Sequence, residues 1–156
     1  MSDIMLSVRN LQKHFGDLAV IKDISFSMER GQVYAVIGPS GSGKSTLLRC
    51  INQLEQADSG CVEICGETLI RTGTDGVVHR CSPAAGRAIQ LHIGLVFQNF
   101  NLFPHLSILE NIIEAPVHVL GQNKADAVDN ARRLLAKLGL SDKSNAYPCQ
   151  LSGGQQ

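Results

Sequence analysis

The sequence predicts an α/β fold built around a phosphate-binding loop. Three observations carry this. Gly38-Pro39-Ser40-Gly41-Ser42-Gly43-Lys44-Ser45-Thr46 fits the pattern G-x-x-x-x-G-K-[ST]. Val33-Tyr34-Ala35-Val36-Ile37, directly before it, is a continuous apolar run of the kind a strand buried on both faces needs. Leu47, Leu48, Ile51 and Leu54, after it, recur at helical spacing. Strand, glycine loop and helix stand in the order that offers a helix N-terminus to an anion.

The chemistry of such a loop is electrostatic. A helix N-terminus carries partial positive charge and unpaired N–H groups. Glycines let the backbone turn those groups inward and approach the anion closely. Lys44 falls in the first helical turn, where a cation is unfavourable by itself; a bound triphosphate removes that penalty. Ser45 offers a hydroxyl where Mg²⁺ would sit. The plain alternative is a flexible Gly/Ser loop or a tight turn opening a helix. The flanking runs and Lys44 argue against it.

Composition narrows the rest. The chain has 156 residues, enough for a domain with a real core. Lys+Arg and Asp+Glu each number 14, so no basic excess points to nucleic acid. No apolar run approaches the ~20 residues of a membrane span. Met1-Ser2-Asp3-Ile4 has no basic stretch of a signal peptide, and a cytosolic protein is expected. The five cysteines include no C-x-x-C pair. Cys61 and Cys65 flank Val62-Glu63-Ile64 and would share one strand face, as packing residues or, in the sharper reading, as a metal pair. The five histidines are scattered and read as surface or core residues.

Taken in order, Leu6, Val8 and Leu11 sit in a first strand. Ile24, Phe26 and Met28 alternate with serines in a second. Lys13-His14-Phe15-Gly16-Asp17 between them reads as a turn, as does Glu29-Arg30-Gly31-Gln32. Val62 to Cys65 form a strand turned by Gly66. Asp75-Gly76 marks a hairpin between Leu69-Ile70 and Val77-Val78. Ser82-Pro83 opens a short helix. Residues 93–97 form another buried apolar run, ending at Gln98. Ser107-Ile108-Leu109-Glu110 has the capping-box form and starts a helix that Pro116 ends or kinks. Val128, Ala131, Leu135 and Leu138 mark the stripe of a second helix, stopped by Gly139. The expected layout is a β-rich half holding the loop, then a helical region from about residue 100.

The chain closes on Leu151-Ser152-Gly153-Gly154-Gln155-Gln156. Behind a phosphate loop, this string resembles the signature of the ABC-transporter ATPases, and the resemblance covers the whole chain. It implies an α/β, P-loop NTPase fold of ABC type. Residues 1–98 would form an ATP-binding core with an antiparallel β subdomain. Residues 99–156 would form an inserted α-helical subdomain ending in the signature. Phe15 stands where the family stacks an aromatic on adenine, although a core phenylalanine is the competing reading. Lys44 and the loop residues 38–46 would hold ATP. Gln98 matches the family's Q-loop glutamine and, with Ser45, would hold Mg²⁺. Ser152, Gly153, Gly154 and Gln155 would face the γ-phosphate bound by a partner chain. The implied assembly is a head-to-tail homodimer sandwiching ATP. It would sit on the inner face of the membrane against permease subunits, which the Q-loop and helical region contact, and indirectly serve a substrate-binding protein. Phe97-Gln98-Asn99-Phe100-Asn101-Leu102-Phe103-Pro104-His105 and Leu109-Glu110-Asn111 resemble the importers of polar amino acids. The Asp75-Gly76 excursion resembles the branch for basic amino acids and opines.

Two rivals follow. Asn123-Lys124-Ala125-Asp126 fits the N-K-x-D of GTPases, but no D-x-x-G follows the loop, and Asn123 reads better as a helix cap. The other rival is a non-catalytic fragment. The family continues past the signature to a Walker B strand carrying an Asp for Mg²⁺ and a Glu that polarises water, then to a switch histidine. None is in these residues, so the chain is expected to be truncated before that strand, to fold poorly and to hydrolyse ATP negligibly.

Overall fold

A long hairpin starts the chain and fixes the first half. The structure, a computed structural model, describes residues 3–156, so the reading of Met1 and Ser2 lies outside the described residues. Strands β1 (Ile4–Phe15), β2 (Leu18–Glu29), β3 (Ser59–Ile64), β4 (Glu67–Thr72) and β5 (Val78–Arg80) form one sheet in the order β2-β1-β3-β4-β5. Every neighbouring pair is antiparallel. The expected turn over residues 13–17 shrinks to Gly16 and Asp17, because Phe15 pairs with Leu18 and Lys13 with Ile21.

Val8 and Leu11 are three residues apart, yet both are fully buried. An alternating strand cannot do this without an extra residue. Asn10 supplies it, at φ +48° in the left-handed region. Its N–H donates to Ser25 Oγ at 2.8 Å and its Nδ2 to Asp23 Oδ1 at 3.1 Å. After this bulge Leu11 and Lys13 both fall in the buried phase, while Phe15 at the hairpin end is exposed.

Cys65 and Gly66 both have positive φ, 51° and 81°, and close the β3–β4 hairpin as a two-residue turn. Cys65 is therefore not on the strand face of Cys61, contrary to expectation. Cys61 is buried and Cys65 half-buried against the core. No group of metal-ligating side chains occurs among the described residues. The β4–β5 hairpin forms as expected: Gly73 N–H donates to Val77 O at 2.8 Å and Val77 N–H to Asp75 Oδ1 at 3.0 Å.

Helices α1 (Lys44–Ile51) and α2 (Pro83–Gln90) complete this core. Leu47, Cys50 and Ile51 of α1 and Ile89 of α2 cluster with Val8, Leu11, Ile21, Val62 and Leu69 of the sheet. Burial pushes the Cys50 thiol up, as befits a packing residue. Leu48 and Leu54 are exposed instead. The helix ends at Ile51, so Leu54 falls beyond it, and Cys50 takes the inward stripe.

The expected strands at residues 33–37 and 93–97 do not form. Val33 and Ile37 are 93% and 92% exposed, and Val96 91%. A buried parallel strand exists only through its ladder partners. Among the described residues no strand pairs with either run.

The chain divides into two compact units, Met1–Leu95 and Val96–Gln156. The second is helical, with α3 (Ile108–His118) and α4 (Lys124–Lys137). Both halves of the Ser107/Glu110 capping box are present. Pro116 lies inside α3, which ends two residues later. Asn123 caps α4 by accepting the Ala125 N–H at 2.8 Å, a local task that accounts for it without guanine. Gly139, at φ +70°, follows the helix end. Ala127, Ala131 and Leu135 form the buried stripe of α4 with Val128 alongside, while Leu138 at the C-cap is exposed.

Candidate phosphate-binding site

The loop of residues 38–46 ends on Gly43, the N-cap of α1, at φ +86°. A Cβ here would stand 2.9 Å from the carbonyl oxygen of Val20 on β2. Glycine thus lets α1 start hard against the β1–β2 hairpin, the element that carries Phe15. Leu47 N–H donates to Gly43 O at 2.8 Å and closes the first turn. Among the described residues, no acceptor is paired with the backbone N–H groups of Gly41, Gly43, Lys44, Ser45 or Thr46. These five donors at a helix start make a cradle for an anion.

Lys44 lies over this cradle. Its Nζ donates to Gly38 O at 2.8 Å, Pro39 O at 2.7 Å and Ser42 Oγ at 3.2 Å. The ammonium is held by neutral carbonyls, which a phosphate oxygen outcompetes through full charge. Pro39, Ser40 and Ser45 are exposed and Thr46 half-buried.

Phe15 is 48% exposed, so it is not a core residue. The Nζ of Lys13 sits 4.7 Å from its ring centroid. Lys13 is buried, with its Nζ 2.8 Å from Glu55 Oε1 and 3.7 Å from Asp58 Oδ1. The hydrogen bond to Glu55 raises the Lys13 pKa and holds the Glu55 carboxyl below the usual range. Burial pushes the Asp58 carboxyl up, but the bond from His14 N–H at 2.6 Å, the His14 ring and Lys13 together bring it below its ordinary value. Lys13, Glu55 and Asp58 escaped the sequence reading, which placed Lys13 in a turn. The odd spacing Val8, Leu11, Lys13 was the available signal.

Gln98 and the signature string belong to the second unit. Gln98 is exposed in a turn, with Phe100 N–H donating to Phe97 O at 3.2 Å. Leu151 anchors the signature by packing with Ile108 and Leu135. Ser152 O accepts from Gln155 N–H at 2.9 Å and from Gln156 N–H at 3.1 Å, while Ser152 N–H donates to Gln155 Oε1 at 3.0 Å. This is the start of a helical turn with half of a capping box. Gly153 and Gly154 face open space.

Residues 21–156 match the family model described as ABC transporter. The chain belongs to the ABC transporter family. It is 46% identical over 156 residues to the arginine transport ATP-binding protein ArgV of Corynebacterium glutamicum, matching 100% of this chain and 61% of ArgV. It is 45% identical over 152 residues to the arginine/ornithine transport ATP-binding protein AotP of Pseudomonas aeruginosa, matching 97% of this chain and 60% of AotP. The chain thus spans 61% and 60% of the length of these curated relatives. Its fold matches the ATP-binding cassette MJ0796, solved as a dimer in a post-hydrolysis state bound to ADP and Pi. The TM-score is 0.75 at 30% identity, covering 97% of this chain and 65% of that one. The antiparallel sheet and the helices agree with an ABC-type nucleotide-binding fold. Among the described residues no helix is long and apolar enough to cross a membrane.

Proposed function

We propose that this chain is the nucleotide-binding part of an ATP-hydrolysing subunit that powers an importer for polar or basic amino acids. The observation that carries the reading is the loop itself: five unpaired N–H donors at the start of α1, with Lys44 parked on replaceable carbonyls. The names of the relatives, arginine and arginine/ornithine transport ATP-binding proteins, support the transport class.

In this reading Lys44 leaves Gly38 and Pro39 and neutralises the β/γ-phosphates, while the N–H groups of Gly41, Gly43, Lys44, Ser45 and Thr46 hold their oxygens. Phe15 offers its exposed face to the base. The oxygen donors of Ser45 and Gln98 suit a hard cation, and Mg²⁺ when bound would supply further neutralisation of the phosphates. Residues 1–98 act as the ATP-binding core and residues 99–156 as the helical part. Ser152, Gly153, Gly154 and Gln155 serve the nucleotide of a second copy in a head-to-tail dimer, with the open space over both glycines leaving room for a phosphate. The assembly works peripherally on the cytoplasmic face of the membrane, against permease subunits fed by a substrate-binding protein.

A second reading, nucleotide binding without turnover by these 156 residues, is favoured by one observation. The run directly ahead of the loop has no ladder to hold it, and Val33 and Ile37 are exposed. Calorimetric titration with ATP and GTP, beside phosphate release by the same sample, tests both. The nucleotide-binding reading expects ATP to bind and to resist displacement by GTP. Turnover by a sample of verified intact mass overturns the second reading. Binding of GTP at far lower concentration than ATP overturns the first.

A further inference from the structure

We propose that Lys13 is a positioning residue for the nucleotide base, holding Phe15 as a stacking platform from behind. The inference rests on the reading of Phe15 as the base-stacking aromatic. It goes beyond that reading by assigning a role to a buried cation that phosphate binding does not use.

The geometry has three parts. The Asn10 bulge resets the phase of β1, so that a lysine at position 13 enters the inward row behind Leu11. Burying an ammonium is unfavourable unless it is paired. Glu55 and Asp58, just beyond α1, pair it at 2.8 and 3.7 Å. Asp58 is itself fixed to the strand by the His14 N–H at 2.6 Å, and its own N–H donates to Gln12 O at 3.0 Å. The ammonium is therefore anchored from two directions before it meets the ring. It lies 4.7 Å from the Phe15 centroid, within cation–π range.

This arrangement does two things to Phe15. It fixes the plane of a ring that is otherwise half exposed at a hairpin end. It also draws π-electron density towards the covered face, leaving the open face better suited to an electron-rich purine. A lysine that served only to neutralise Glu55 and Asp58 would not need to face the ring.

The test compares ATP with inorganic tripolyphosphate, which has the phosphates and lacks the base. Affinities of the 156-residue chain for both are measured by calorimetry with Mg²⁺ at neutral pH. The wild type is compared with Lys13→Met, Lys13→Arg, Phe15→Leu and the double variant Lys13→Met/Glu55→Gln, which removes the cation without stranding its closest carboxylate. ATP affinity is expected to fall roughly two- to fivefold in both Lys13→Met backgrounds, with tripolyphosphate unchanged and Lys13→Arg retaining most of the preference. Equal loss of both ligands overturns the proposal, as does full ATP preference in a folded variant. Unfolding of both Lys13→Met forms, seen by circular dichroism, makes Lys13 a structural residue and also overturns it. If Phe15→Leu leaves ATP affinity unchanged, the base-stacking reading itself falls. If Phe15→Leu weakens ATP and Lys13→Met does not, only the role of Lys13 falls.

Discussion

Lys44 reaches back six residues to donate to the carbonyl of Gly38 at 2.8 Å. The cation of the loop is thus satisfied within the loop, and in the proposed reading an arriving anion displaces those carbonyls. Lys44→Ala removes the cation while leaving the five N–H donors in place. Charge-assisted hydrogen bonds contribute about 1.5–3 kcal/mol each, so tripolyphosphate affinity is expected to fall roughly 10- to 100-fold. Thermal stability should change little, because the bonds lost are made to loop carbonyls that water can reach. Calorimetric titration and a melting curve on one sample check both halves.

Gly43 tests the scaffold beneath that cation. Its φ of +86° is unfavourable for any Cβ, and the Val20 carbonyl stands only 2.9 Å from where one would sit. Gly43→Ala is expected to destabilise by at least about 1–2 kcal/mol from conformation alone, with the contact adding to it. Gly41 has a similar φ of +81° but no atom within 4 Å of the added carbon. Gly41→Ala should therefore lose only the conformational part. Urea unfolding of the two variants should rank Gly43→Ala as the more damaging; the reverse order would mean that the approach of β2 to the loop is not what requires glycine.

Whether a feature was legible in the sequence depended on how far apart its determinants lie. The Ser107/Glu110 box, the Asn123 cap, the Asp75-Gly76 hairpin and the phosphate loop are each specified within a few residues, and each forms where the pattern places it. The β1 bulge depends on Ser25 and Asp23, fifteen and thirteen residues from Asn10, and pattern alone could not place Lys13 inward. Residues 33–37 fail for a related reason: apolar character marks a strand that requires ladder partners, but does not supply them. Leu138 shows the smaller error, since periodicity extends a stripe that the helix end at Lys137 interrupts. The Phe15 site was half legible. The aromatic stands out in the sequence as a candidate, while the cation beside its ring depends on the bulge.

Glu110 gives a pH signature. The Ser107 hydroxyl and N–H, at 2.7 and 2.8 Å from Glu110 Oε2, hold its carboxyl below the ordinary carboxylate range. A group whose folded pKa is depressed contributes stability above its unfolded pKa, about 4.3 for Glu, and loses it as pH falls through the folded value. The second unit should therefore weaken on the acid side of about pH 4 through this group. Glu110→Gln keeps an acceptor for the Ser107 N–H but does not titrate. Its melting temperature should fall less between pH 6 and 3 than that of the wild type; parallel curves would remove Glu110 from the acid transition.

Asn111 holds the chain that leads into α3. Its Oδ1 accepts Phe103 N–H at 2.8 Å, and its Nδ2 lies within 3.1 Å of the carbonyls of Phe103, Leu106 and Ser107. An amide is the one side chain of this size that offers both an acceptor and two donors. Asn111→Asp preserves shape and acceptor but turns a carboxylate towards three carbonyl oxygens. Asn111→Ala leaves those groups to water. The aspartate should be the worse of the two, with the alanine costing about 1–3 kcal/mol. The loss should be local: amide hydrogen exchange should accelerate across residues 103–107, Phe103 most of all, while the Ala127 and Ala131 amides on α4 stay protected. Uniform acceleration through α4 would instead make Asn111 a support of the whole helical unit. An alanine variant worse than the aspartate would mean that the acceptor at Phe103 matters more than the donors, and that the loop is held from its far end.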